Sequence, residues 1–265
     1  MSRYVISGGK EGKDRLKLLS QVLQPTTSQL LKTAGIREGM TCLDLGCGGG
    51  FVSCLMAGFV GPKGKVVAVD TDATILALAR EDAEAEGLAN VEFRHANASI
   101  YQQEEAHDLV YARFLLTHLS EPEKCLEAMV KACKPGGLIV VEDIEFAGSF
   151  CYPFCAAYQR FADLYQQVVY RRGGDPNIGP KLPGMLGKAG VKEIQVHVVQ
   201  PTHFEGDGKL MASITMDRIA DSVIAEGLAT EAEVEQIIAG LNDAAADSEY
   251  VMSLPRIFQV WGRRT

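Results

Sequence analysis

The sequence lacks several features that mark particular classes of protein. Its 265 residues contain no apolar run of about 18 residues, so we expect no membrane-spanning helix. It has no long lysine or arginine run, and its net charge of −8 disfavours a nucleic-acid partner. Segment 1–10 is polar and unlike a secretory signal. The odd count of seven cysteines favours free thiols, and we therefore expect a cytoplasmic protein.

Apolar runs and helical patterns alternate through the first half of the chain. The predicted strands are residues 41–45, 65–70, 91–95, 108–112, 138–142, 191–199 and 255–262. Helical patterns separate most of the first five strands, which predicts an α/β fold with a parallel sheet covered on both faces. Before the first strand we expect two helices, because Pro25 interrupts the apolar pattern of residues 11–34.

A glycine cluster directly follows the first predicted strand. Gly46 and Gly48 match the start of the dinucleotide pattern G-x-G-x-x-G, but its last position is Phe51. Asp44 stands two residues before the cluster, whereas a pyrophosphate favours backbone donors without a nearby anion. A carboxylate suits a positively charged ligand such as S-adenosylmethionine. Asp70 ends the second strand, as expected beside a nucleoside-bearing cofactor.

Four motifs, in the same order, resemble those of the class I S-adenosylmethionine-dependent methyltransferases. They occupy residues 43–50, 66–70, 108–119 and 126–143. The sequence is most similar to the small-molecule group with methyltransferase domains of type 11 or 25. The resemblance implies a Rossmann-like sheet of seven strands, mostly parallel with the last strand antiparallel, and helical cap insertions.

The same resemblance divides the chain into a core and caps. The predicted units are an N-terminal helical cap over the cofactor (1–36), the S-adenosylmethionine-binding core (37–145), helical substrate insertions (146–190 and 207–250) and final sheet strands (191–206 and 251–265). The first insertion is rich in phenylalanine and tyrosine, which favours an apolar acceptor pocket, although such residues also fill the cores of caps.

The glycine motif is expected to hold the methionine part of the cofactor. The resemblance puts that part over Gly46, Cys47 and Gly48, with Asp44 near its ammonium group. A side chain on these glycines would obstruct close approach of the ligand. The carboxylate of Asp70 is expected to accept hydrogen bonds from both ribose hydroxyls.

The adenine is expected to lie near the end of the third strand. The resemblance implies that Thr71 packs by the adenine edge, that Asn97 accepts from the adenine amino group through its amide oxygen, and that the N–H of Ala98 serves a ring nitrogen. Family members usually have Asp where this chain has Asn97. Arg113 and Tyr4 are expected at the methionine end of the cofactor.

Two residues are candidates for catalysis. A neutral His118 could accept a proton from a methyl-accepting group, although a structural role is equally compatible with its position. Asp143 belongs to a group with Glu142 and Glu145 at the end of the fifth strand, where carboxylates could orient an acceptor. We expect no metal site. Cys151 and Cys155 are expected to pack on one helix.

The sequence therefore predicts methyl transfer from S-adenosylmethionine to a small organic acceptor, on oxygen or nitrogen. Two alternatives remain: a scaffold or regulator that binds the cofactor without methyl transfer, and a methyltransferase acting on protein or RNA. The tetrapeptide that follows the fourth strand in base- or amide-directed enzymes, Asn/Asp-Pro-Pro-Phe/Tyr, is replaced here by residues 112–115. A homodimer is compatible with the long caps.

Overall fold

The computed structural model describes residues 9–265. Its strands are β1 (Thr41–Leu45), β2 (Lys65–Asp70), β3 (Val91–His95), β4 (His107–Arg113), β5 (Cys133–Glu145), β6 (Cys151–Tyr152), β7 (Val191–Val199), β8 (Thr202–His203), β9 (Val251–Ser253) and β10 (Arg256–Arg264). Its helices are α1 (Gly9–Ala34), α2 (Phe51–Val60), α3 (Ala73–Ala85), α4 (Pro122–Ala132), α5 (Ala156–Arg171), α6 (Leu182–Lys188), α7 (Met211–Ala225) and α8 (Glu231–Ala246).

Seven strands form one sheet in the order β3-β2-β1-β4-β5-β10-β7. All neighbouring pairs from β3 to β5 are parallel, whereas β10 runs antiparallel to both β5 and β7. This confirms the predicted α/β fold with its last strand antiparallel. Parallel strands end at one edge, so the loops after β1, β2, β3 and β4 meet there, around the change of strand order beside β1.

The sheet is covered on both faces, and a separate cap lies over its ligand edge. Helices α1 and α2 pack on one face through residues such as Leu31 and Met56, and α4 and α6 pack on the other. Helices α5, α7 and α8 share a third apolar cluster with the first half of α1. Strands β6, β9 and β8 form a small antiparallel sheet beside that cluster.

The prediction of two helices before β1 was wrong. Helix α1 continues through Pro25, although a proline inside a helix removes one hydrogen bond and costs about 3 kcal/mol. Buried side chains on both sides of the proline offset this cost. Leu23 packs in the cap cluster, whereas Leu30 and Leu31 pack against the sheet. A single helix therefore connects the cap to the core.

Cys151 and Cys155 do not share a helix as predicted. Cys151 lies in β6, and Cys155 is the residue before α5, with Pro153 between them. A proline disfavours helical backbone in the residue before it, so α5 begins only after this segment. The three short strands of the small sheet carry no sequence pattern of their own and were not predicted.

Candidate functional site

The loop after β1 is shaped by glycines at positions that require them. Gly46 and Gly48 have φ of +73° and +50°, in the left-handed region that glycine adopts readily. The N–H groups of Gly46 and Cys47 both donate to the carbonyl of Val69, at 2.8 and 3.0 Å, which fixes the loop to β2. A Cβ on Gly46 would lie 3.0 Å from Leu115. The loop therefore presents bare backbone to the space above it.

Two carboxylates flank this loop, and each is held by the protein through specific contacts. Asp70 Oδ2 accepts from the N–H of Gly48 at 2.9 Å, and Oδ1 accepts from the N–H of Asp72 at 3.0 Å. Asp44 is buried, and its Oδ2 accepts from the hydroxyl of Ser53 at 2.6 Å. Burial raises the pKa of Asp44 to about 6. A cationic group beside it would stabilise the ionised form.

The end of β3 supplies the third part of this pocket. Asn97 caps the short 3₁₀ turn Ala98–Ile100, because its Oδ1 accepts from the N–H of Ser99 at 2.9 Å. The amide oxygen of Asn97, which is predicted to accept a hydrogen bond from the adenine amino group, therefore already accepts one from the protein. Its second lone pair remains for the adenine. Just after the end of β2, the carbonyl of Thr71 lies 2.9 Å from Nε2 of His95, the last residue of β3.

One cavity of about 770 Å³ brings nearly all the predicted residues together. The predicted residues that line it are Asp44, Gly46, Cys47, Gly48, Asp70, Thr71, Asn97, Ala98, Arg113 and His118. The predicted contact of Tyr4 lies outside the described residues. The cavity then continues beyond the glycine loop towards the cap, so it has a cofactor end and a second compartment, which we call the acceptor compartment.

The acceptor compartment has an aromatic wall. Phe146 and Tyr165 are stacked with ring centroids 4.1 Å apart, and Phe161 meets Phe146 edge to face at 5.8 Å. Tyr158 lies beside Phe161 and donates its hydroxyl proton to the carbonyl of Ser253 at 2.7 Å. These four rings line the cavity, whereas Phe150, Tyr152, Phe154 and Tyr170 from the same aromatic-rich segment are exposed. Within α5, helical spacing separates the lining residues Tyr158, Phe161 and Tyr165 from the exposed Tyr170.

His118 lies at the junction of the two compartments. It ends the 3₁₀ turn Leu116–His118 after β4. Burial and the positive charge of Arg15 lower the pKa of His118 to about 3. The imidazole is therefore neutral across the physiological range.

Asp143 is held inside the protein, away from the cavity. Its Oδ2 accepts from the N–H of Thr117 at 3.1 Å, and its Oδ1 accepts from the N–H of Ile144 at 2.9 Å. Burial raises the pKa of Asp143 to about 7. It is not among the residues that line the cavity, so the structure favours a positioning function for the turn that carries His118 over the predicted contact with substrate.

The three predicted carboxylates of β5 do not act as one cluster. Glu142 faces the opposite side of the strand from Asp143 and Glu145, and these two have different partners. Glu145 pairs with Arg256, with Nε and Oε2 2.8 Å apart. Glu142 accepts from the hydroxyl of Tyr111 at 2.5 Å and from Gln259 Nε2 at 2.8 Å. Glu142, Tyr111 and Gln259 are all buried, and Tyr111 also lines the cavity. The sequence analysis missed Tyr111 and Gln259, since β4 and β10 meet only through β5.

Among the side chains that the structure describes, no group of three or more His, Cys, Asp or Glu residues is arranged to hold a metal ion. None of the helices described is both long enough and apolar enough to cross a membrane.

Comparison with known proteins identifies the family. Residues 36–173 match a family described as a methyltransferase domain. The chain belongs to this family, and it is a class I S-adenosylmethionine-dependent methyltransferase by fold and motifs. The cofactor of the family fits the site: bare glycine backbone lies between Asp44, suited to its ammonium, and Asp70, suited to its ribose.

Among curated proteins, the chain is similar to the ubiquinone/menaquinone biosynthesis C-methyltransferases UbiE of Escherichia fergusonii and Salmonella arizonae. The identity is 34% and 33% over 131 residues, which cover 49% of this chain. The chain spans about half the length of the curated relatives it matches, namely 51%.

Solved structures share the fold at low identity. A candidate methyltransferase from Bacillus halodurans C-125 superposes with a TM-score of 0.62 at 20% identity, covering 90% of this chain and 98% of that one. Phosphoethanolamine N-methyltransferase 2 of Haemonchus contortus, solved with phosphomonomethylethanolamine and S-adenosylhomocysteine, gives a TM-score of 0.60 at 16% identity. It covers 96% of this chain and 57% of that one.

Proposed function

We propose that this protein transfers a methyl group from S-adenosylmethionine to a small organic acceptor bound in the acceptor compartment. One observation carries the proposal: a single cavity of about 770 Å³ joins the glycine loop to a compartment lined by aromatic side chains. Pockets of roughly 300–1,000 Å³ are typical of small-molecule sites. Because Tyr158, Phe161, Tyr165 and Met211 are all buried, the compartment suits a small molecule better than a protein or RNA chain.

The main task of the protein is to align the acceptor and exclude water. When bound, S-adenosylmethionine supplies a methyl group that is already activated by the positive charge on its sulfur. Asp44, Asp70 and the loop at Gly46 would hold the cofactor at one end of the cavity. The aromatic wall would orient the acceptor, and the buried cap excludes bulk water from the junction.

The environment of His118 limits its part in catalysis. A group with a pKa of about 3 is a weak proton acceptor at neutral pH, since an efficient general base has a pKa near the working pH. We propose that neutral His118 accepts a hydrogen bond from the acceptor and so positions it. This favours an acceptor that reacts without strong base catalysis.

The atom that receives the methyl group is the second part of the proposal. We propose oxygen or nitrogen, as the sequence analysis predicts. A carbon atom of an electron-rich ring is the second candidate, because the similar UbiE proteins are named as C-methyltransferases and the aromatic wall suits a planar ring.

Turnover with a panel of acceptors tests both parts. The purified protein would be incubated with S-adenosylmethionine and small phenols, amines and carboxylic acids, and release of S-adenosylhomocysteine would be measured. NMR of each product identifies the methylated atom. Turnover of any small acceptor excludes the scaffold alternative. Binding of S-adenosylhomocysteine without turnover of the panel, but with methylation of an RNA or protein fraction, would contradict the proposal.

We also propose a cytoplasmic location and a homodimer. All seven cysteines are free thiols, as expected in a reducing compartment.

The edge strand β7 exposes Val196 and Val198, which would be covered by a second copy. Sedimentation of the wild type against Val198→Lys tests the dimer, and a wild type that sediments as a monomer would contradict it.

A further inference from the structure

Lys209 is buried in the wall of the acceptor compartment, although lysine is a charged residue that proteins seldom bury. Only 3% of its surface is exposed, and it lines the cavity. Its Nζ donates to the backbone carbonyl of Asp247 at 2.6 Å. Among the side chains that the structure describes, which exclude those of residues 9–11 and 14, no carboxylate forms an ion pair with it. A buried ammonium is costly unless an anion compensates its charge.

The carboxylates that line the described part of the cavity lie at one end of it, where Arg113 provides a positive charge near Asp44. The carboxylates among the described lining residues are Asp44, Asp70 and Asp72, and all three lie at the cofactor end. Arg15 and Lys209 approach from the cap side, where the described lining is otherwise neutral. This contrasts with the net charge of −8 of the whole chain.

The two cations lie on segments that pack together. Arg15 of α1 donates from Nε to the hydroxyl of Thr215 in α7 at 3.2 Å. Lys209 lies in the 3₁₀ turn Asp207–Leu210, which leads into α7 and packs against α1. The two cations therefore lie on neighbouring segments that both line the cavity.

We propose that the acceptor is an anion, and that Lys209 is the counterion of its carboxylate or phosphate group. This inference rests on the proposed function, and it narrows the acceptor to a class. The apolar body of such a molecule would lie against the aromatic wall, and its anionic group would face Lys209 with Arg15 nearby. The same positive charges disfavour a protonated amine as the acceptor.

Fluorinated probes separate charge from shape. The three probes would be 4-fluorobenzoate, 4-fluorophenyl phosphate and the neutral 4-fluorobenzamide, each titrated by fluorine NMR against protein saturated with S-adenosylhomocysteine. We expect at least one anion to bind about 10-fold or more tightly than the amide. The stronger of the two anions identifies the group as carboxylate or phosphate. Equal binding of all three probes, or no binding of either anion, would overturn the proposal.

Variants of Lys209 test whether this residue causes the preference for anionic probes over the neutral amide. We expect Lys209→Met to lose the preference while its affinity for the amide stays within about twofold, and Lys209→Arg to retain most of it. Lys188→Met, at an exposed lysine of α6 outside the cavity, is the matched control and should behave as wild type. Circular dichroism checks folding. If Lys209→Met does not fold, Lys209→Gln replaces it, since its amide can still donate to Asp247.

Affinity for S-adenosylhomocysteine, measured by calorimetry, separates this inference from the proposed function. We expect Lys209→Met to leave that affinity within about twofold of wild type. A loss equal to the loss of anion affinity would mean that Lys209 serves the cofactor, and would overturn the inference. A wild type that binds no S-adenosylhomocysteine would instead contradict the proposed function itself.

Discussion

The two ends of the cavity are constructed differently. The cofactor end is made largely by residues between positions 44 and 98, and much of it is backbone held by local hydrogen bonds. The acceptor compartment is made by side chains from α1, from the turn at Phe146, from α5 and from the segment around Lys209. A site that uses backbone over a short stretch leaves a motif in the sequence, whereas a site that uses distant side chains does not.

This contrast predicts that single changes at the cofactor end weaken cofactor binding, and the largest effect is expected at Asp70. Asp70→Ala removes the predicted ribose contact and both loop contacts, at 2.9 and 3.0 Å. We expect S-adenosylhomocysteine affinity to fall about 10- to 100-fold, since a hydrogen bond to a charged group is worth roughly 1.5–3 kcal/mol. Calorimetry measures it, with exposed Asp221→Ala as the control. Unchanged affinity would mean that the nucleoside binds elsewhere.

A variant of Asp143 tests whether this residue, near the junction of the two compartments, contributes to stability or to catalysis. In Asp143→Asn, the new NH₂ group would face N–H donors, and we expect the free energy of unfolding to fall by about 1–3 kcal/mol. Denaturant unfolding measures this. Turnover that vanishes while stability is unchanged would restore Asp143 as a catalytic candidate.

The raised pKa of Asp143 also predicts how the stability of the wild type changes with pH relative to Asp143→Asn. Burial raises the pKa of Asp143 to about 7 from its ordinary value of 3.8. Between these values the folded protein keeps a proton that the unfolded chain loses, so the stability from this group falls as pH rises through the window. We expect wild type to lose more stability than Asp143→Asn from pH 4 to pH 7, by at most about 1.4 kcal/mol per pH unit.

A pair of glycine variants tests whether backbone conformation defines the cofactor end. Gly46→Ala forces alanine into a left-handed conformation and brings its Cβ to 3.0 Å from Leu115. We expect a loss of about 1–2 kcal/mol of stability together with weaker S-adenosylhomocysteine binding. Gly58→Ala in α2, where a Cβ meets nothing within 4 Å, should instead stabilise the protein by about 0.5–1 kcal/mol. Equal effects in both variants would refute this explanation.

The smallest predicted effect concerns the acceptor compartment. Tyr158→Phe removes the hydrogen bond of 2.7 Å to the carbonyl of Ser253 but keeps the ring in the aromatic wall. We expect a loss of about 0.5–1.5 kcal/mol of stability, no change in S-adenosylhomocysteine affinity and altered acceptor binding. Tyr152→Phe, at an exposed tyrosine, is the control. Weaker cofactor binding in Tyr158→Phe would show that the two ends are not independent.

Most of the sheet could be predicted because β2, β4 and β5 contain apolar runs, and because β3 and β7 combine β-branched or aromatic residues with polar ones in short segments. β1, β2, β3 and β7 have the predicted bounds. The continuous course of α1 through Pro25 could not be predicted, because it depends on two apolar clusters that exist only in the folded protein. Likewise, β6 and β9 pair over a separation of about a hundred residues.

The sequence by itself determined the fold class and the cofactor, and it predicted residues that the structure brings together around one cavity. Asp44, Gly46, Gly48 and Asp70 stand at the spacings expected when a strand, a glycine turn, a helix and a second strand form a nucleoside-binding unit. Tertiary structure alone decided that Asp143 faces inward, that four rings form one wall, and that Lys209 is buried without an ion pair among the described residues. The physical reason is that side-chain direction and burial depend on which distant segments pack together, and no local pattern records that choice.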